Sequence, residues 1–156
     1  MTDITTFPAI QDVLVSGDNI REFTATEAIT KGMVVGFAAT GVSNAVVPMD
    51  ATAGETAVGV AITTAAITKI VKVACIGCVV KMANADDTTA IDAGDYVEQN
   101  DNAVQGTVSA VAVAAITGAV GTGHYGVVGI AEADIAGGSY GNVRIEPLYT
   151  FQANDA

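Results

Sequence analysis

The sequence predicts an all-β protein, a small barrel or sandwich built from two pseudo-repeated β units, with extended arms at its N- and C-termini. Three observations carry this expectation. Hydrophobic residues make up 51% of the 156 residues but aromatics only 5%, with no Trp, so the apolar content is mostly Ala and Val. Such residues build cores from small, stiff β-branched side chains packed in thin layers. Short β-like pieces then follow one another at intervals of roughly 8 to 12 residues, punctuated by Gly, Asn, Asp and Thr, which is the spacing of sandwiches and barrels. Finally, the chain repeats itself.

In chain order, residues 1–22 hold isolated apolar side chains (Ile4, Phe7, Ile10, Val13, Leu14, Val15) and then the turn Ser16-Gly17-Asp18-Asn19, which reads as an extended arm that docks on a neighbour or, equally, as a first strand of the core. The expected strands are 23–28, 33–38, 45–48, 58–63, 70–82, 96–99, 107–113, 127–131 and 141–147. Helical signals are thin. Residues 108–120 are Ala-rich but apolar all round and read as strand plus loop, while 61–68 and 134–138 allow a single turn at most.

The repetition is specific. Ala28-Ile-Thr-Lys-Gly-Met-Val-Val35 is echoed by Ala90-Ile-Asp-Ala-Gly-Asp-Tyr-Val97 at an offset of 62 residues. Val58-Gly59-Val60-Ala61 returns as Val128-Gly129-Ile130-Ala131 at 70, and Val71-Lys72-Val73 as Val143-Arg144-Ile145 at 72. The growing offset places about ten extra residues in the second copy, within 104–124. Glycine after the polar pair permits the positive φ of a turn that starts a strand, and the cation marks the wet face of an alternating strand. The expected organisation is an arm over 1–22, one β domain over 23–147 with pseudo-repeats at about 28–82 and 90–147, and a tail over 148–156.

Charge narrows the function classes. Six Lys and Arg against 17 Asp and Glu leave a net charge of −11, which disfavours nucleic acid and anionic membrane as partners, because both require clustered cations. A mean hydropathy of +0.48 argues for a folded chain. No apolar run reaches the roughly 18 to 20 residues of a membrane helix, and residues 1–8 lack the features of a signal peptide, so synthesis in a cytoplasm is expected.

The motifs with chemical potential are weak. Cys75-Ile-Gly-Cys78 lacks the further ligands of a zinc site and the helix start of a thioredoxin site. Within one continuous strand the two sulfurs would face opposite sides, with Gly77 the one place for a bulge, so packed thiols are the favoured reading over a redox or metal role. Gly121-Thr-Gly-His-Tyr-Gly126 matches a dinucleotide fingerprint in letters, but a strand rather than a helix follows it. His124 is the sole histidine, and Ser16, Ser43, Ser109 and Ser139 offer no strained elbow for a triad. The acids Asp86, Asp87, Asp92, Asp95, Glu98 and Asp101 fit no calcium loop, and a solvated acidic edge is the favoured reading. A carboxylate pair for glycoside hydrolysis would lack its usual Trp walls. The expectation is a non-enzyme with no cofactor and no metal.

A family likeness rests on residues 28–37, 57–61, 70–80, 90–97 and 127–131, which in order and spacing resemble tailed-phage capsid cement proteins, the small proteins that decorate heads. The likeness runs from about residue 23 to 147; the insertion at 104–124 and the cysteine pair depart from it. It implies a β-rich virion protein on the outer surface of the capsid, bound to the major capsid protein, itself a homotrimer, and stabilising the head by clamping neighbouring subunits. A clamp of this kind needs no catalytic site and benefits from arms, which makes Ile4, Phe7, Pro8 and Ile10, with Leu148, Tyr149 and Phe151, the candidate contacts to capsid or neighbour. Phe7 and Phe151 covering the chain's own core is the competing reading. The runner-up function is a tail, fibre or cell-surface β module, and a third is an enzyme or binder at His124 or the acidic edge.

Overall fold

The computed structural model describes residues 13–38, 43–49, 57–86, 88–99, 107–110 and 127–147. These form eleven strands: β1 (Leu14–Ser16), β2 (Ile20–Ala25), β3 (Val34–Phe37), β4 (Ala45–Pro48), β5 (Ala57–Ala61), β6 (Ile70–Ala74), β7 (Val79–Asn84), β8 (Tyr96–Gln99), β9 (Thr107–Ala110), β10 (Val127–Ala131) and β11 (Tyr140–Ile145). The protein is all-β, and no helix occurs among the described residues.

Strand β2 runs parallel to β4 and antiparallel to β6, β3 is antiparallel to β4 and β5, and β5 is antiparallel to β6. Together they close a barrel in the order β2-β4-β3-β5-β6. The second half repeats each pairing: β7 runs parallel to β9, while β7 with β11, β8 with β9, β8 with β10 and β10 with β11 are antiparallel. The β7–β9 ladder thus closes five strands of the six-stranded sheet into a second ring. Strand β1 lies on β7 through Leu14 and Ser16, opposite Val80 and Val79, and β9 takes the other end of β7 at Ala83 and Asn84.

Registers match in detail. Val35 faces Gly59 and Gly36 faces Ala57, skipping Val58; Val97 faces Gly129 and Glu98 faces Val127, skipping Val128, so both halves carry the same bulge. The isolated bridges Ile29–Ala65 and Ile91–Ile135 also correspond. The matched pairs Ala61–Val73 and Ala131–Val143 fix the last strand of each unit at a shift of 70 residues. The counterpart of Lys72 is therefore Asn142 rather than Arg144, and the sequence echo of cations was out of step by two residues. Because side chains in a strand recur every second residue, that slip kept the same face and so left the alternation intact.

The boundaries also differ from expectation. Residues 14–16 and 20–22 belong to the sheets, which is the first-strand reading of that stretch, so the arm does not extend through them. The repeating units run from β2 to β6 and from β7 to β11, because what read as one strand over 70–82 is two strands joined by a turn. In that turn the Cys78 N–H donates to Cys75 O at 3.1 Å, with Gly77 at φ +90°. Glycine at the third position makes a tight reversal there and not a bulge. The segments 61–68 and 134–138 hold the bridging residues Ala65 and Ile135 instead of helical turns.

Two glycines explain why Val-Gly-Val-Ala and Val-Gly-Ile-Ala recur. At Gly59 a β-carbon would run into the carbonyl oxygen of Ala74, and at Gly129 into that of Arg144. Each bulged strand lies so close to its neighbour that no side chain fits.

Burial separates two cores. Phe23, Ile29, Val35, Val46, Val71 and Val73 fill the first barrel. The other cluster contains Met82, Ile91, Val97, Val108, Ile135 and Val143 from the second barrel and extends to Val34, Val60 and Ala74 of the first. Those three join the barrels through a buried apolar layer that also takes in Val13 and Cys78. Asn84, 1% exposed, stands where the first barrel has Ala25; its amide donates to Thr89 O at 2.8 Å and Ile135 O at 3.2 Å and its oxygen accepts from the Asp86 N–H at 3.1 Å. Every polar atom of this buried side chain is thereby satisfied.

Candidate functional site

The seven candidate contact residues, Ile4, Phe7, Pro8, Ile10, Leu148, Tyr149 and Phe151, lie outside the described residues, as do His124, Asp87, Asp101 and the glycine run 121–126. The remaining candidates are placed. Cys75 and Cys78 are free and buried, one in the core of the first barrel and the other in the core shared with the joint. Burial pushes the Cys75 thiol up; Arg21 opposes the shift and Cys78 adds to it. A neutral, enclosed thiol is a packing group rather than a nucleophile.

Two carboxylates serve the turn at Asp92 to Asp95. Asp95 Oδ2 accepts from the Asp92 N–H at 3.2 Å, and Asp134 Oδ1 accepts from the Ala93 N–H at 2.9 Å. Corresponding positions of the first barrel meet the same need with other chemistry, since Met33 Sδ accepts from the Thr30 N–H at 3.3 Å and Thr64 Oγ1 from the Lys31 N–H at 3.2 Å. Acidity is therefore not needed to shape this turn, and carboxylates serve as one of several acceptors for an exposed N–H. Among the described residues no group of three or more His, Cys, Asp or Glu side chains converges as a metal set.

Asp86 is the most perturbed of these acids. The hydroxyl and N–H of Thr88 donate to its Oδ1 at 2.7 and 2.8 Å and the Thr89 N–H at 3.2 Å. These bonds hold its pKa at about 2, below the ordinary 3.8, the Thr88 hydroxyl first among them. Since the folded pKa is depressed, the contribution to stability is complete above the unfolded value and disappears as pH falls through about 2. In a pH series of thermal melts, Asp86→Ala is expected to flatten the acid limb between about pH 4 and 2 relative to the parent chain.

Sequence reading missed the exposed apolar side chains of the first barrel. Ile67 is 58% and Ile70 56% exposed. Ile67 belongs to the turn in which the Lys69 N–H donates to Ala66 O at 3.0 Å with Thr68 at φ +68°, and Ile70 opens β6 opposite Thr24. Ile70 and Lys72 point outward from β6, alternating with buried Val71 and Val73. Lys69 is exposed as well, and Lys72 faces Glu22 across the strand pair. At the end of β3, Phe37 is 59% exposed, its ring edge-to-face on buried Phe23 at 6.1 Å and 72°, while the Arg21 guanidinium stands 5.7 Å from the Phe23 ring centroid. The signal was present in the Ile67 to Lys72 text, but it took the strand pairings to show that this face is bare.

Fold and surface together define a tandem β-barrel chain in which Asp86, Asp95 and Asp134 serve turns and both thiols pack in cores. Among solved structures, it is similar to the head fiber gp8.5 N base of bacteriophage phi29, at 12% sequence identity and a TM-score of 0.51, over 81% of this chain and 92% of that chain. That likeness is one of fold. No family model matches the chain, and no curated protein matches it.

Proposed function

We propose that the chain is a non-catalytic structural protein of a tailed-phage particle that binds the outer surface of the assembled head, clamping neighbouring copies of the major capsid protein, and that it acts as a homotrimer. The supporting observation is the fold shared with the base of a phage head fibre over 81% of the chain. The resemblance of residues 23–147 to head-decoration proteins points the same way from the sequence side. A net charge of −11 suits a protein stored in many free copies before docking, since like charge keeps them apart.

The same likeness favours a second reading, in which the chain is the seat of a fibre. Copy number separates the two. Purified chain is mixed with undecorated heads, pelleted, and the bound copies counted. Saturation at a fixed ratio to capsid subunits is the result expected of a cement protein. Saturation at a few dozen copies per head transfers the assignment to a fibre base, and absence of binding overturns both. Light scattering of the free chain tests the trimer.

A further inference from the structure

The two barrels are built on one plan, so each position in one has a counterpart in the other, and the second barrel serves as an internal reference for what the first one needs structurally. At the counterparts of exposed Ile67, Ile70 and Lys69 stand Gly137, Tyr140 and Ser139, and at that of Lys72 stands Asn142. Of the five exposed large hydrophobic residues among the described ones, Phe37, Ile67 and Ile70 belong to the first barrel, Ile76 to the turn that joins the barrels and Val15 to β1, which lies on β7; none lies within β7 to β11 or the connections between them. The fold is made without those side chains in the second half, so folding does not require them in the first.

Charge divides the same way. Residues 20–74 carry four cations, Arg21, Lys31, Lys69 and Lys72, against four acids, whereas residues 79–145 carry Lys81 and Arg144 against eight acids. A near-neutral half with bare isoleucines adjoins a strongly acidic half with none described. Desolvating the first costs less, and the second is suited to remain in water. Within the first half, the lysines flank the isoleucines: Lys69 lies between Ile67 and Ile70 in sequence, and Lys72 follows Ile70 on the outward face of β6.

We propose that the outer face of β6 and the turn before it, with Ile67, Ile70, Lys69 and Lys72, is the surface by which the chain seats on its particle, and that the partner is a protein surface presenting apolar side chains fringed by carboxylates. This rests on the particle reading above. The isoleucines enter the apolar part of the site, the lysine ammonium groups meet the fringe, and the second barrel projects away into solvent. A rigid turn and a paired strand hold the patch, so little ordering entropy opposes docking.

The test measures head binding of the full chain by sedimentation with three variants: Ile67→Ser/Ile70→Ser, Lys69→Glu/Lys72→Glu, and Lys81→Glu as a charge change on β7, where Lys81 stands opposite Asn142, the counterpart of Lys72. All sites are exposed, and unchanged melting confirms folding. The first two variants are expected to weaken binding about tenfold or more and the third to leave it unchanged, with parent affinity falling as salt rises. If the parent binds heads and the first two variants bind equally well, this face is wrong and the particle reading stands. Equal weakening by Lys81→Glu also overturns the proposal. If instead the isoleucine variant changes only the oligomeric state, the occupant is a second copy and the proposal fails. A parent chain that binds no heads overturns the particle reading, and the proposal with it.

Discussion

Replacing Gly129 with alanine is expected to destabilise the protein by about 3 kcal/mol or more, and Gly59→Ala is expected to do the same in the first barrel. The added methyl would strike the carbonyl oxygen of Arg144 in one case and of Ala74 in the other, with a γ-carbon of Val143 or Val73 close behind. A clash with the end of a flexible side chain relaxes by rotation, but a backbone carbonyl in a ladder cannot move without giving up pairing. Strands β10 and β11 would have to separate where Gly129 faces Ile145, and the bulge shared with β8 would lose its register. For a chain of this size the melting midpoint would fall by roughly 10 °C. Gly94→Ala provides the contrast. No atom lies within 4 Å of a β-carbon there and the only obstacle is φ of +90°, so a cost of about 1 to 2 kcal/mol is expected. Denaturant melts of the three variants decide the point: equal losses at Gly129 and Gly94 would mean that backbone conformation, and not close approach of strands, explains the spacing that the two halves share.

Phe23→Ala is expected to cost about 4 kcal/mol, the range for emptying a buried aromatic position. Phe23 is 1% exposed and the largest side chain in a first-barrel core otherwise made mostly of Val, Ala and Ile. Small β-branched neighbours have few rotamers with which to collapse into the gap, so most of the cavity would persist. The edge-to-face contact with Phe37 and the Arg21 contact would go as well. Phe37→Ala isolates the ring–ring contact, because it leaves Phe23 and Arg21 in place and, with Phe37 59% exposed, opens no cavity; about 1 kcal/mol is expected. Should the two variants melt alike, the first barrel would be held by its mouth and not by its interior.

The strand text was legible where alternation met clear turn chemistry. Residues 45–48, 96–99 and 127–131 read as strands with the bounds they have in the fold, and Gly32 and Gly94 occupy turns at φ +92° and +90° as the repeated motif implies. Residues 70–82 were misread because the β-branched and small residues on both sides of Gly77 suit one continuous strand as well as two, and only the Cys78 to Cys75 hydrogen bond and the pairing of β6 and β7 into different sheets separate them. The true start of the repeat was hidden for a similar reason. Phe23 corresponds to Met82 and Ala25 to Asn84, pairs with no shared letter, matched only by their place in the ladders to β6 and β11.

Class, repetition and the recurrence of glycine at 59 and 129 were written in the chain itself, since they follow from local periodicity and from motifs that occur twice. Three features arise only once distant segments meet: the two units are closed five-stranded rings, they share a buried joint, and Ile67 and Ile70 stand in the open while Val71 and Val73 do not. Ring closure depends on a parallel ladder between strands separated by a hairpin's length of chain, β2 with β4 and β7 with β9, and no local signal encodes such a pairing. Burial is likewise a property of what lies opposite. Isoleucine at 70 and valine at 71 have nearly the same hydropathy, and the twofold alternation of the strand, fixed by the register with β2, is what turns one to water and the other to the core.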